Sequence, residues 1–282
     1  MSVITTNTLK SVEPQKHGGT GTMRSNSPFI LISMEVRKMK GSSFWWMLIG
    51  MITLVSLWSG FAVMKRKGGN PATRTLTLTQ GDIYQTISLL APILAALLTS
   101  RLAIMETSER MDLKWQSLGL GETGRFFAKL AVAGTALSLV FMIPLTWTPL
   151  AALAMGFKSD GDLSSLILAP ALIAFISSLS VAAIQLMLSM TINKQAVGLG
   201  VGVIASLVGS GLGPMNAARL GWFFPAGISS AASPFLTTVT QDGYARMTLV
   251  TNPWVLVLTS LIACIIWISI SAFVTTVKES HR

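Results

Sequence analysis

Six strongly apolar stretches of the chain carry no Asp, Glu, Lys or Arg: residues 41–64, 83–100, 130–157, 163–193, 195–218 and 247–277. A bilayer's hydrocarbon core is ~30 Å thick, and an α-helix needs about 20 apolar residues to cross it. Each stretch is long enough, or nearly so, for one crossing, which predicts six transmembrane helices. Backbone polar groups in lipid must be satisfied internally, and windows this long and uniformly apolar suit helices rather than the alternating strands of a barrel. Charged residues make up 11% of the chain, against about 25% in a soluble domain. The polar shell that a soluble core of this hydrophobicity requires is therefore missing. The expected fold is an all-α membrane protein.

The net charge of +10 would suggest a nucleic-acid surface in a soluble chain. In a membrane chain it is tested first against the excess of Lys and Arg on cytoplasmic loops. With both termini cytoplasmic, fourteen of the 21 Lys and Arg residues fall inside and seven outside, so this orientation is expected, with no nucleic-acid partner. The cluster Lys65-Arg66-Lys67 dissents, because it follows the first span directly and lands outside. Residues 1–27 hold no apolar run and are rich in Ser, Thr, Gly, Asn and Pro, the composition of a disordered cytoplasmic tail. One membrane domain is expected over 28–282.

Residues 28–42 place Phe29, Ile32, Val36 and Met39 at helical spacing, with Glu35, Arg37, Lys38 and Lys40 mostly off that stripe. Either an amphipathic helix in the inner headgroup layer or a plain cytoplasmic extension of the first span fits this pattern. Pro92, Pro144, Pro149 and Pro170 lie within the spans, where a missing backbone donor kinks a helix, as a hinge or as ordinary packing. Gly198, Gly202, Ser206 and Ser210 form a row of small residues four apart on the fifth span. Such a row admits a closely packed helix, as a subunit contact or as an internal seam. Between Gly213 and Asn252, the segment around Trp222-Phe223-Phe224-Pro225 is too short and broken to cross, and is expected to form a re-entrant or surface-lying hairpin at the outer mouth.

Catalytic chemistry has little to work with. The two histidines, His17 and His281, lie in the tails, and the single cysteine, Cys264, lies in the last span. No zinc motif, carboxylate pair or His-based triad can be assembled in the spans. Gly119-Leu-Gly121-Glu-Thr-Gly124 matches a dinucleotide fingerprint and nearly a P-loop. Both motifs need a preceding strand, and the P-loop also needs Lys then Ser or Thr where this chain has Arg125-Phe126. No enzymatic activity, metal or cofactor is expected in this chain. Charge-free spans also leave a proton- or ion-driven carrier without its usual intramembrane groups.

The most polar internal loop runs from Arg101 to Lys129. Within it Met111, Trp115 and Leu118 share one helical face, flanked by Glu109, Arg110, Asp112 and Lys114. A short helix of this kind either docks into a partner's groove or lies as a solvated loop with Trp115 at the headgroups. The element Met34-Glu35-Val-Arg37-Lys38-Met-Lys40 before Trp45-Trp46, then Arg101 to Glu106, Lys114-Trp115 to Leu118, and Lys129 closing the loop, resembles the membrane subunits of type-2 ABC exporters. The nearest likeness is to the permeases of lantibiotic-immunity and bacitracin-resistance transporters, over residues 28–282.

The resemblance implies the type-2 ABC exporter fold, six spans preceded by an amphipathic helix. It also implies that the regions of Glu35, Arg37, Lys38 and Lys40, and of Glu106, Glu109, Arg110, Asp112, Lys114, Trp115 and Leu118, contact a separate ATPase. Family members often carry Pro followed by Ser-Arg where this chain has Gly119-Leu-Gly121. Partners would be an ATPase dimer, holding ATP and Mg, and a second permease, identical or homologous. The segment from Trp222 would cap the exit path. The expected function is that of a permease subunit in a bacterial cell membrane, exporting a hydrophobic or amphipathic compound such as an antimicrobial peptide. The rivals are a secondary carrier working without ATP and a non-transporting sensor or immunity module.

Overall fold

The computed structural model describes residues 28–108, 122–192, 195–239 and 245–280, and these are mostly helical. The tail 1–27 and residues 109–121 lie outside the described residues. In chain order come α1 (Pro28–Lys38), α2 (Phe44–Gly68), α3 (Leu76–Ser108), α4 (Glu122–Ala154), α5 (Leu163–Thr191) and α6 (Gln195–Gly211). After them follow short 3-10 turns, the single-turn α7 (Ile228–Ala231), the strands β1 (Phe235–Val239) and β2 (Ala245–Leu249), and α8 (Pro253–Ser280).

Five helices, α2, α3, α4, α5 and α8, are long and apolar enough to cross a membrane. The fifth charge-free stretch, 195–218, yields the 17-residue α6, about 26 Å long at 1.5 Å per residue. It stops at Gly211 because Gly213 and Pro214 follow, and the backbone at Gly209 is pressed against the carbonyl of Ala226 with no room for a Cβ. The all-α expectation is corrected at the far end, where β1 and β2 pair antiparallel with Phe235 opposite Leu249 and Val239 opposite Ala245. Leu-Thr-Thr-Val and Met-Thr-Leu are strand-favouring runs, and the Met247 side chain sits directly on Gly81 of α3.

The middle of the bundle is α5, with α3, α4 and α8 as neighbours, while α6 lies along α3 and α2 along α4. Ala169, Ile173, Ala182, Ala183 and Leu186 of α5 are fully buried. By contrast α2 turns Leu57, Trp58 and Phe61 outward, and α8 turns Leu258, Ile265 and Phe273 outward. Apolar belts of that extent are tolerable only against lipid or another protein. Hydroxyls inside the bundle return to their own helix, as expected: Ser180 donates to Ile176, Thr99 to Ala95 and Ser271 to Trp267.

Side chains from neighbouring helices serve backbone groups inside the bundle. Pro149 has no N–H for the carbonyl of Leu145, four residues back, and the buried Gln80 of α3 donates Nε2 to that oxygen at 2.8 Å. Near Pro92, the Ser206 hydroxyl of α6 donates to the carbonyl of Leu89. Buried Gln185 of α5, with its amide turned to suit its neighbours, donates to Gly198 at 3.0 Å and accepts from the Gly202 N–H at 3.2 Å. Irregular backbone at membrane depth is stable only when such groups are served within the protein.

Candidate coupling end of the bundle

Both ends of the described chain lie at one end of the bundle. Pro28 occupies the first position of α1, where its fixed φ costs nothing and its missing N–H is not needed. The helix ends with Arg37 and Lys38 in its last turn, placing positive charge at the negative end of the dipole. Gly41 then adopts φ +87, a left-handed conformation that glycine takes without penalty, and the chain turns into α2. Arg101 of α3 donates to the Ser43 hydroxyl in this turn at 2.6 Å.

The central feature here is an ion cluster. Glu35 Oε1 lies 2.9 Å from Lys38 Nζ and 3.2 Å from Lys129 Nζ. Lys129, on α4, is 0% exposed and Glu35 5%, so the contact that ties α1 to α4 lies in a region of low dielectric. On the other side, Thr123 of α4 meets Thr276 of α8 at 3.0 Å. Lys278 donates to the carbonyls of Thr191, at 2.7 Å, and Met190, serving the last turn of α5.

The residues expected at an ATPase contact separate as follows. Arg37 and Lys40 are exposed at this end, whereas Glu35 faces inward and Lys38 lies beside it. Glu106 falls in the last turn of α3. Glu109, Arg110, Asp112, Lys114, Trp115 and Leu118 lie outside the described residues, in the segment joining α3 to α4. The stripe expected on α1 is also revised: Ile32 and Met39 face the bundle with Glu35, and Phe29 and Val36 are exposed. The pull of Glu35 toward Lys129 sets this rotation. Sequence reasoning took Lys129 as the close of the loop and missed its pairing. A lone Lys between Phe126-Phe127-Ala128 and Leu130 was the available signal.

Of the small-residue row, Gly202 and Ser206 face α3. A Cβ on Gly202 would stand 2.6 Å from the Ala96 Cβ. Gly198 faces Ser189 and Gln185 of α5, and the Ser210 hydroxyl returns to Ser206. At the opposite end, Trp222, Phe224 and Pro225 are half-buried and Phe223 is exposed. The adjoining turn is fastened to α3 by the Tyr84 hydroxyl, which donates to the Ser229 carbonyl at 2.8 Å. Asp160 accepts from the Thr77 N–H and hydroxyl at the start of α3, and Asp162 caps α5. Hydrogen bonds from the Ser164 hydroxyl and the Ser165 N–H hold the Asp162 carboxyl below its ordinary range. Among the described residues no group of three or more His, Cys, Asp or Glu could hold a metal ion.

Residues 31–209 match the sequence profile described as ABC-2 family transporter protein. The chain belongs to that family. It is a multi-pass membrane protein of the transporter permease class. A search of curated proteins returned no match.

Proposed function

We propose that this chain is the membrane-spanning subunit of an ATP-driven exporter, working with a dimer of ATPase subunits and a second permease, identical or homologous. In this reading α1 lies in the inner headgroup layer, its exposed Phe29 and Val36 toward lipid. The six stretches each cross once, with α6 completing its crossing through the turns after Gly211, and both termini are cytoplasmic in a bacterial cell membrane. The observation that carries the reading is the convergence of α1, the end of α3 and the start of α4. The described residues that flank the two regions resembling an exporter's ATPase contact thereby adjoin one another, with Glu35 paired to Lys129. Residues 109–121 would bear the coupling helix, docking Trp115 and Leu118 into the ATPase with the charges Glu109, Arg110, Asp112 and Lys114 fixing orientation. ATP-driven movement there would rock the bundle about rigid, well-packed elements.

The cargo is a hydrophobic or amphipathic compound, such as an antimicrobial peptide, because the spans offer a polar solute no fixed charge. ATP and Mg would be bound by the partner subunits, and hydrolysis would occur there. The test is purification through a tag on this chain, co-expressed with its neighbouring ATPase. The ATPase is expected to co-elute, and to be lost when Trp115→Asp and Leu118→Asp are introduced together. A chain that elutes alone and intact overturns the reading.

A further inference from the structure

The outward-facing side of α2 and α4 carries a cleft of about 490 Å³, lined by Ile52, Ser56, Gly60, Met64, Trp147 and Met155 among others. From Ile52 to Met64 it runs ~18 Å along α2 at 1.5 Å per residue, close to the ~15 Å hydrocarbon depth of one leaflet. Its lining is almost wholly apolar, with Gly60 and Trp147 midway and Met64 and Met155 at one end, a surface that suits an alkyl chain.

Charge at the cleft's end narrows the choice further. Lys65 and Lys67 follow Met64 directly, and Lys158 lies three residues beyond Met155. All three are exposed. The acids nearby are committed elsewhere: Asp82 to Arg66, Asp160 to Thr77, and Asp162 to the start of α5. The Arg74 carbonyl accepts from the Lys158 N–H at 3.0 Å, which holds this loop against the one after α2. These loops carry five cations, Lys65, Arg66, Lys67, Arg74 and Lys158, against three acids, Asp82, Asp160 and Asp162, so net positive charge sits where an alkyl chain in the cleft would emerge. We infer that the cleft between α2 and α4 is a binding site for one anionic phospholipid, its acyl chain along Gly60 and Trp147 and its phosphate at Lys65, Lys67 and Lys158. The same site explains why the Lys65-Arg66-Lys67 cluster stands against the charge bias of the other loops.

The test is native mass spectrometry of the full chain in mild detergent, titrated separately with phosphatidylglycerol and phosphatidylcholine of identical acyl chains. One phosphatidylglycerol is expected to bind at least ~10-fold more tightly than phosphatidylcholine. The exposed-site variant K65Q/K67Q/K158Q should lose that preference. A Cβ on Gly60 meets the Trp147 ring at an ordinary 3.5 Å, so Gly60→Ala should retain the lipid, while Gly60→Leu should fill the cleft and release it. Equal binding of the two lipids, or an unchanged preference in the lysine variant, overturns the proposal. So does a Gly60→Leu protein that keeps its lipid, or one that instead loses a second copy of the chain.

Discussion

Replacing Glu35 by Leu tests the ion cluster that fixes α1 on the bundle. The substitution leaves two ammonium groups, on Lys38 and Lys129, without the carboxylate they share. Removing one member of a buried ion pair costs about 3–5 kcal/mol. The lower end applies because the Lys38 side chain retains 12% exposure and can turn toward water. A loss of about 3 kcal/mol corresponds to a fall of roughly 6–12 °C in Tm, at 2–4 °C per kcal/mol for a chain of this size. Replacing both charges, as Glu35→Leu with Lys129→Met, should recover most of the loss, since apolar pairs of similar volume often substitute for buried ion pairs without cost. Lys38→Met alone leaves Glu35 paired with Lys129 and should cost less than Glu35→Leu. The assay is size-exclusion chromatography of detergent-solubilised protein after heating for a fixed time, run on all variants in parallel. If the double variant falls by the sum of the two single losses, the charges act independently and the link between α1 and α4 is refuted.

Three further outcomes follow from named contacts. Gln80→Leu strands the carbonyl that Pro149 leaves open and should cost about 1–3 kcal/mol. Adding Pro149→Ala, which returns an N–H to the helix, should recover much of that in the same heating assay. Gly209→Ala places a methyl group against the Ala226 carbonyl and should destabilise by about 1–3 kcal/mol, while Gly50→Ala, with open space around it, should be near neutral. The Asp162 carboxyl titrates lower in the folded chain than its ordinary value of ~3.9, so its capping contribution is full above that pH and fades as pH falls through the lowered folded value. Wild type and Asp162→Ala should therefore differ in Tm at pH 6 and converge as the pH is taken below ~4.

The spans were legible because charge is the costliest thing to place in lipid, and the charge-free windows find the helices that avoid it. The same rule misjudged the boundaries: α3 runs from Leu76 to Ser108, across Asp82 and Arg101, because both side chains leave the bundle for hydrogen-bond partners at its ends. Pro149 identified the orphaned carbonyl of Leu145 but not its donor, since Gln80 lies 65 residues away and only the packing of α3 on α4 brings them together. Gly202 and Ser206 were visible as a seam, and the choice of α3 as their neighbour depended on the tertiary arrangement. The hairpin was signalled in the sequence by strand-favouring residues on either side of Asp242-Gly243, a pair that announces a tight turn, and a reading by apolar windows passed over it. The sequence placed Lys129 at the close of the loop but held no sign of its partner. Its burial required Glu35, 94 residues earlier, on a helix whose rotation that pairing decides.

The central claim, that this permease moves an amphipathic compound when a partner hydrolyses ATP at the α1 end, is tested most directly in proteoliposomes. This chain and its ATPase would be reconstituted together, and ATP hydrolysis followed as a cationic amphipathic peptide is added. Stimulated hydrolysis, with ATP-dependent passage of the peptide across the bilayer and loss of both in the Trp115→Asp, Leu118→Asp complex, is the predicted result. Passage that proceeds equally without ATP, or hydrolysis indifferent to both peptide and variant, would contradict the account.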